Sequence, residues 1–147
     1  PWDKLFFPGH RTALLAHPWD KLFAGNETAL RAHIEEMKSV RHLAVGDFYP
    51  LTPYSLELDQ WMAWQFNRPD LGEGVVQVFR RDNAPAGEMR IKLRGLDADA
   101  IYELNDFDKA APAKVSGREL METGLLVTLP PRAAAVIVYS VMSALGW

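Results

Sequence analysis

Glu103, Asp106 and Asp108 are the side chains whose types and spacing come nearest to acid–base chemistry. Cleaving a glycosidic bond takes two carboxyl groups across a sugar, about 5 to 9.5 Å apart, one of them held protonated by its surroundings. Asp106 and Asp108 fall on one side of a strand-end segment and Glu103 on the other, and nothing near them would separate two pKa values. The plainer expectation is a solvated strand end. The four imidazoles, His10, His17, His33 and His42, show no HExxH or comparable ligand spacing, so no metal site is expected. GxGxxG, GxxxxGK[ST] and GxSxG are all missing, and Gly72 and Gly74 precede a strand, where turn geometry accounts for them better than phosphate binding. No cysteine is present, which excludes disulfides, thiolate nucleophiles and iron–sulfur ligation and suits a reducing, cytoplasmic location. The expectation is therefore no catalytic residue, no cofactor and no metal.

What the chain offers a ligand instead is aromatic surface. Trp2, Trp19, Tyr49, Tyr54 and Trp61 are candidates to stack on a sugar ring or to line an interface. The more ordinary use of Phe48, Tyr49 and Trp61 is packing where a helix or a neighbouring domain meets a sheet. With 16 basic and 19 acidic residues, a net charge of −3 and scattered cations, nucleic acid is not an expected partner. No apolar run reaches the 18 or so residues of a membrane span, so no membrane partner is expected either. At 147 residues the chain has room for one domain, and none for a catalytic barrel of about 250.

The elements that must hold these residues divide by period. Asn26 to about His42 reads as an amphipathic helix, with Asn26 as cap, Glu27 at the positive end, and Leu30, Ile34 and Met37 in one stripe. Glu27–Arg31 and Arg31–Glu35 are possible pairs on its solvated face. Pro50 and Pro53 then force an extended crossing segment. Six strands follow, over residues 61–68, 74–81, 88–95, 100–107, 125–130 and 133–141, separated by Gly- and Pro-rich turns. In the first, Met62, Trp64 and Phe66 share the face opposite Ala63, Gln65 and Asn67. Residues 74–81 and 133–141 are apolar on both faces and belong at the centre of a sheet. SGRELMETG, from Ser116 to Gly124, is punctuated as a short helix, with Ser116 as cap and Gly124 as stop. The fold class is mainly β: an antiparallel β-sandwich of Greek-key type, preceded by an amphipathic α-helix.

The lead is an imperfect tandem repeat, PWDKLFFPGHRTALLAH from Pro1 followed by PWDKLFAGNETALRAH from Pro18. Two copies are too few for a solenoid, and a local duplication is the simplest account. The organisation expected is a duplicated lead over 1–25, the helix over 26–42, a crossing segment over 43–60 and a sandwich over 61–147.

GDFYPLTPYS (46–55), WMAWQFNRPDLGEGVVQVFRR (61–81), LRGLDADAIYELND (93–106) and SGRELMETGLLVTLP (116–130) together resemble the carboxy-terminal part of α-galactosidase-like glycoside hydrolases of family 36. The resemblance implies that 26–42 corresponds to the last helix of a catalytic (β/α)8 barrel and the rest to a β-sandwich packed against it. The family's aspartate nucleophile and aspartate acid/base lie on barrel strands, and no position of this sequence matches either. The function implied is a non-catalytic accessory domain supporting stability, domain packing or oligomer contacts. The parent would be a glycoside hydrolase whose catalytic barrel, the expected partner, lies outside this chain. Two alternatives stand beside it: a carbohydrate-binding module with weak galactoside affinity, and a self-associating domain that forms a homo-oligomer through the helix stripe.

Overall fold

The computed structural model describes residues 27–142. The chain divides into two compact units, Pro1–Lys38 and Ser39–Trp147. Of the first, the described part is α1 (Glu27–Val40), which runs on two residues into the second. Arg31 pairs with Glu27 at 2.8 Å across one turn, while Glu35 pairs with Lys38 rather than with Arg31. Leu30, Ile34 and Met37 recur at helical spacing and all three are exposed. The proposed cap Asn26 lies outside the described residues, as does the repeat up to that point, with Trp2, Trp19, His10 and His17; its last seven residues, Glu27 to His33, form the first turns of α1.

Among the described residues the second unit has a 3-10 turn (Arg41–Val45) followed by eight antiparallel strands in two sheets. They are β1 (Asp47–Pro50), β2 (Trp61–Arg68), β3 (Glu73–Arg80), β4 (Glu88–Ile91), β5 (Ile101–Asp106), β6 (Ala113–Ser116), β7 (Leu125–Thr128) and β8 (Ala133–Val141), with a short helix α2 (Gly117–Glu122) between β6 and β7. The larger sheet has the order β1-β2-β3-β8-β5-β6, and β4 pairs only with β7. The doubly apolar strands β3 and β8 are thus its two middle members, as their pattern requires. The buried apolar cluster draws on both sheets, with Ala63, Val78, Ile137 and Leu104 from the large one and Ile91 and Val127 from the small one.

Two strands were not legible as such. β1 lies inside the expected crossing segment, and it ends at Pro50, which an edge strand tolerates because its outer N–H is not needed. β6 has no buried apolar alternation and is defined only by its pairing with β5. The expected strand over 88–95 stops at Ile91. Beyond it the Leu93 N–H donates to the Leu120 carbonyl at 3.0 Å, and the Arg94 backbone is taken by a side chain of β2. Backbone groups satisfied in that way have no need of a ladder partner.

The SGRELMETG segment folds as its punctuation indicates. Ser116 accepts a hydrogen bond from the Glu119 N–H at 3.2 Å, and Gly124 ends the helix at φ 90°, a conformation costly for any residue with a Cβ. Leu120 is thereby carried into the core at 1% exposure. Ser116→Ala is expected to cost about 1 kcal/mol of stability, visible as a lower urea midpoint at unchanged slope. An unchanged midpoint would show that the cap is idle.

Candidate functional site

The alternation of β2 places its faces opposite to what residue size suggests. Trp61, Ala63, Gln65 and Asn67 point into the protein, and Met62, Trp64, Phe66 and Arg68 lie half-buried on the outside. Amides occupy the inside because the loop after β4 presents backbone groups that need partners. Gln65 Nε2 donates to the Arg94 carbonyl at 2.8 Å and to the Tyr139 hydroxyl at 2.7 Å, while its Oε1 accepts from the Arg94 N–H at 2.8 Å. The Tyr139 hydroxyl donates to Asn67 Oδ1 at 2.7 Å, and Asn67 Nδ2 donates to the Gly95 carbonyl at 3.0 Å. Among the described residues no buried side-chain polar atom lacks a partner. Burial pushes the Tyr139 hydroxyl pKa above its ordinary value of 10, so the seam contributes fully below that pH and loses its contribution as the pH rises through the elevated folded value. The seam is structural: it joins the large sheet to the loop that follows β4 through buried polar groups.

The outer face has a different character. Phe48 of β1 packs against Phe66 with ring centroids 5.3 Å apart and the rings tilted by 50°, and Trp64 of β2 against Phe79 of β3 at 5.0 Å. Beside them a cleft of about 420 Å³ is lined by Phe48, Tyr54, Leu56, Met62, Trp64 and Arg81 among others. Apart from the exposed Tyr54 hydroxyl, its main polar side chains are already engaged. The Trp64 indole donates to Gln77 Oε1 at 2.6 Å, and the Arg81 guanidinium holds the Glu57 carbonyl at 2.5 Å and reaches Met62 Sδ at 3.5 Å. Such a cleft can take apolar surface; it offers a ligand few directed hydrogen bonds.

Of the candidate aromatics among the described residues, only Tyr54 is exposed on this cleft, at 88%. Trp61, counted as an exposed ring, is instead buried, its indole donating to the Ala86 carbonyl at 3.1 Å. Tyr49 is half-buried on the face opposite Phe48, with its hydroxyl near Gly95. Three residues of the face, Leu56, Met62 and Trp64, were not singled out as candidates. The sequence signal for them was present in the Met62, Trp64, Phe66 alternation, but it did not say that this side faces outward.

The remaining candidates resolve as structural groups. Asp106 is nearly buried, accepts the Asp108 N–H at 3.1 Å and pairs with Lys109 at 3.1 Å, which is a strand-end turn and not a carboxylate pair across a cleft. His33 lies 3.1 Å from Glu36 and His42 3.3 Å from Glu73. No cluster of three metal-ligating side chains occurs among the described residues. Gly72 adopts a turn conformation at φ 67°, whereas Gly74 sits within β3 where a side chain would collide with Tyr139.

Two bidentate pairs close the turns. Asp82 takes Arg132 Nε and Nη2 at 2.7 and 2.6 Å, and Asp70 takes Arg68 at 2.9 and 2.7 Å. The hydrogen bonds from each guanidinium hold its carboxylate below the ordinary 3.8. A depressed folded pKa contributes stability that is complete above the unfolded value and disappears as pH falls through the folded one. The urea midpoint is therefore expected to drop below pH 4, and to drop less in Asp82→Asn. An identical acid profile in that variant would refute the assignment to this pair.

The geometry defines an antiparallel two-sheet domain with a sealed polar seam and an aromatic outer face. The chain belongs to the glycosyl hydrolase family 36 C-terminal domain family, whose profile matches residues 61–139. Crystal structures agree. The α-galactosidase AgaB from Geobacillus stearothermophilus is 28% identical, covering 78% of this chain with a TM-score of 0.61. AgaA from the same organism is 27% identical over 80% of this chain, with a TM-score of 0.63. The α-galactosidase from Lactobacillus brevis, at 19% identity and a TM-score of 0.65 over 79% of this chain, shares the fold. This chain spans 16% of the length of each of the three. No curated protein matches it in sequence. The described domain corresponds to the C-terminal portion of family 36 enzymes. No described helix is long and apolar enough to cross a membrane.

Proposed function

We propose that this chain is the accessory C-terminal domain of an α-galactosidase-like glycoside hydrolase, one that supplies no catalytic residue and supports the stability and packing of the enzyme. The observation that carries the proposal is the family match over the sheet unit, a region that corresponds to about one sixth of known α-galactosidases. The internal arrangement agrees with it. Of the two carboxylates that came nearest to a catalytic pair, that of Asp106 is used in a turn, where it accepts the Asp108 N–H and pairs with Lys109. In this reading the two sheets close as a Greek-key sandwich, supported by the shared core of Ile91 and Val127 with Ala63 and Ile137. Residues 26–42 stand for the last helix of a catalytic barrel, 43–60 for the passage out of it and 1–25 for a duplicated lead. A cytoplasmic setting suits the cysteine-free sequence.

The test is hydrolysis of nitrophenyl α-galactoside by the purified chain, expected to stay at the uncatalysed background. Turnover above background that vanishes in Asp106→Asn would overturn the proposal. A parallel titration of tryptophan fluorescence with galactosides is expected to be flat; a saturable change lost in Tyr54→Ala would favour a carbohydrate-binding role instead.

A further inference from the structure

The outer face of the large sheet is the part of the second unit that neither the core nor the polar seam uses. Its first rows run Phe48–Phe66–Val75–Val138 and Pro50–Trp64–Gln77–Val136 across β1, β2, β3 and β8. The loop after β1 extends this surface with Tyr54 and Leu56, exposed at 88% and 77%. By contrast, the outward positions of β4 and the segment after it are Glu88, Arg90, Lys92 and Arg94, all exposed. One outside of the domain is aromatic and the other is predominantly charged. Docking of a large protein surface without a charged complement selects the first.

Where the unit begins points the same way. Ser39, Val40, His42 and Leu43 line a cleft with Glu73, Glu103, Asn105 and Val138, which are outer-face positions of β3, β5 and β8. Leu43 is buried to 1% exposure although it lies outside the apolar cluster of the core. The His42 carbonyl accepts from Arg68 Nη1 at 3.0 Å, and the His42 ring meets Glu73. The first residues of the unit therefore lie along this face, and a domain joined on that side is tethered there. The α-galactosidases to which the chain is similar have most of their length outside the matched segment.

We infer that the outer face of the large sheet, from Phe48 through Trp64 to Phe79 together with Tyr54 and Leu56, is the surface on which the catalytic domain of the parent hydrolase packs; the inference rests on the accessory-domain reading above. The occupant is an apolar protein surface and not a sugar, because the indole of Trp64 and the guanidinium of Arg81 are already paired.

The experiment uses the full-length parent enzyme with Tyr54→Glu and Leu56→Glu combined, both at exposed positions that the domain does not need for its own core. Leu126→Glu, an exposed residue of β7, is the control on the other sheet. The double variant is expected to lower the melting temperature by about 4 °C or more and to split one calorimetric transition into two, with the control unchanged. Because the chain has no cysteine, Leu56→Cys carrying a photo-crosslinker reports the neighbour directly and is expected to label the catalytic domain. Equal shifts in the double variant and the control, or labelling confined to this domain or to a second copy, would overturn the choice of face. A parent reading frame with no barrel-sized domain ahead of this one would sink the accessory reading itself, an outcome read from the gene without any variant.

Discussion

Gln65→Leu is expected to destabilise the domain by about 3 to 5 kcal/mol, more than deletion of any single surface contact. The side chain is fully buried and makes three hydrogen bonds of 2.7 to 2.8 Å, two to the Arg94 backbone and one to the Tyr139 hydroxyl. Leucine fills most of the volume but leaves the Arg94 N–H and carbonyl without partners inside the protein. Each such orphan costs about 1 to 3 kcal/mol because its bond to water in the unfolded chain is not replaced. The Tyr139 hydroxyl keeps its bond to Asn67, so adding Tyr139→Phe to Gln65→Leu should cost less than Tyr139→Phe does alone. Urea unfolding followed by near-ultraviolet circular dichroism measures both quantities. A loss below about 1 kcal/mol for Gln65→Leu would mean that the seam is hydrated and not sealed.

Gly74→Ala is expected to be comparably damaging, at about 3 kcal/mol, for a steric reason. Gly74 lies in a middle strand of the large sheet, and a Cβ there would fall on the hydroxyl and ring of Tyr139 and 2.6 Å from the Phe66 carbonyl. Neither neighbour can yield. The Phe66 carbonyl belongs to the β2–β3 ladder, and Tyr139 is held by Gln65 and Asn67. The variant must shift the sheet or eject the tyrosine, and either choice breaks the seam. Trimming Tyr139 to leucine in the same chain removes part of the collision, so the two substitutions together should cost less than their sum. Strict additivity, or a loss under about 1 kcal/mol for Gly74→Ala alone, would show that the sheet absorbs the methyl group elsewhere.

Much of this domain was legible before any coordinates. The bounds of β2 and β8 follow from their patterns and turns, and the central place of β3 and β8 follows from apolar residues on both faces. The Ser116 cap and the Gly124 stop have purely local causes, which is why they were readable. β6 was not, because a short edge strand without a buried stripe takes its definition from the partner across the ladder. The aromatic candidates fared unevenly for a related reason. Ring type says that a residue has area to bury, and only the fold says on which side: Trp61 and Phe48 sit in similar patterns, yet one is enclosed and the other is 56% exposed.

Local chemistry by itself determined that this protein is an antiparallel β domain with a helix ahead of it, where its turns fall, and which residues of each strand share a face. It also marked the resemblance to family 36, which the matched profile upheld. Only the tertiary structure decided which face is inside. Alternation in β2 labels two sides, and by size the side with Met62, Trp64 and Phe66 is the better core. The other side won because the backbone at Arg94 and Gly95, brought beside β2 by the second sheet, needed the amides of Gln65 and Asn67. That requirement arises between segments some thirty residues apart and does not exist until they meet. It seals the polar groups within the domain and leaves the aromatic side facing out.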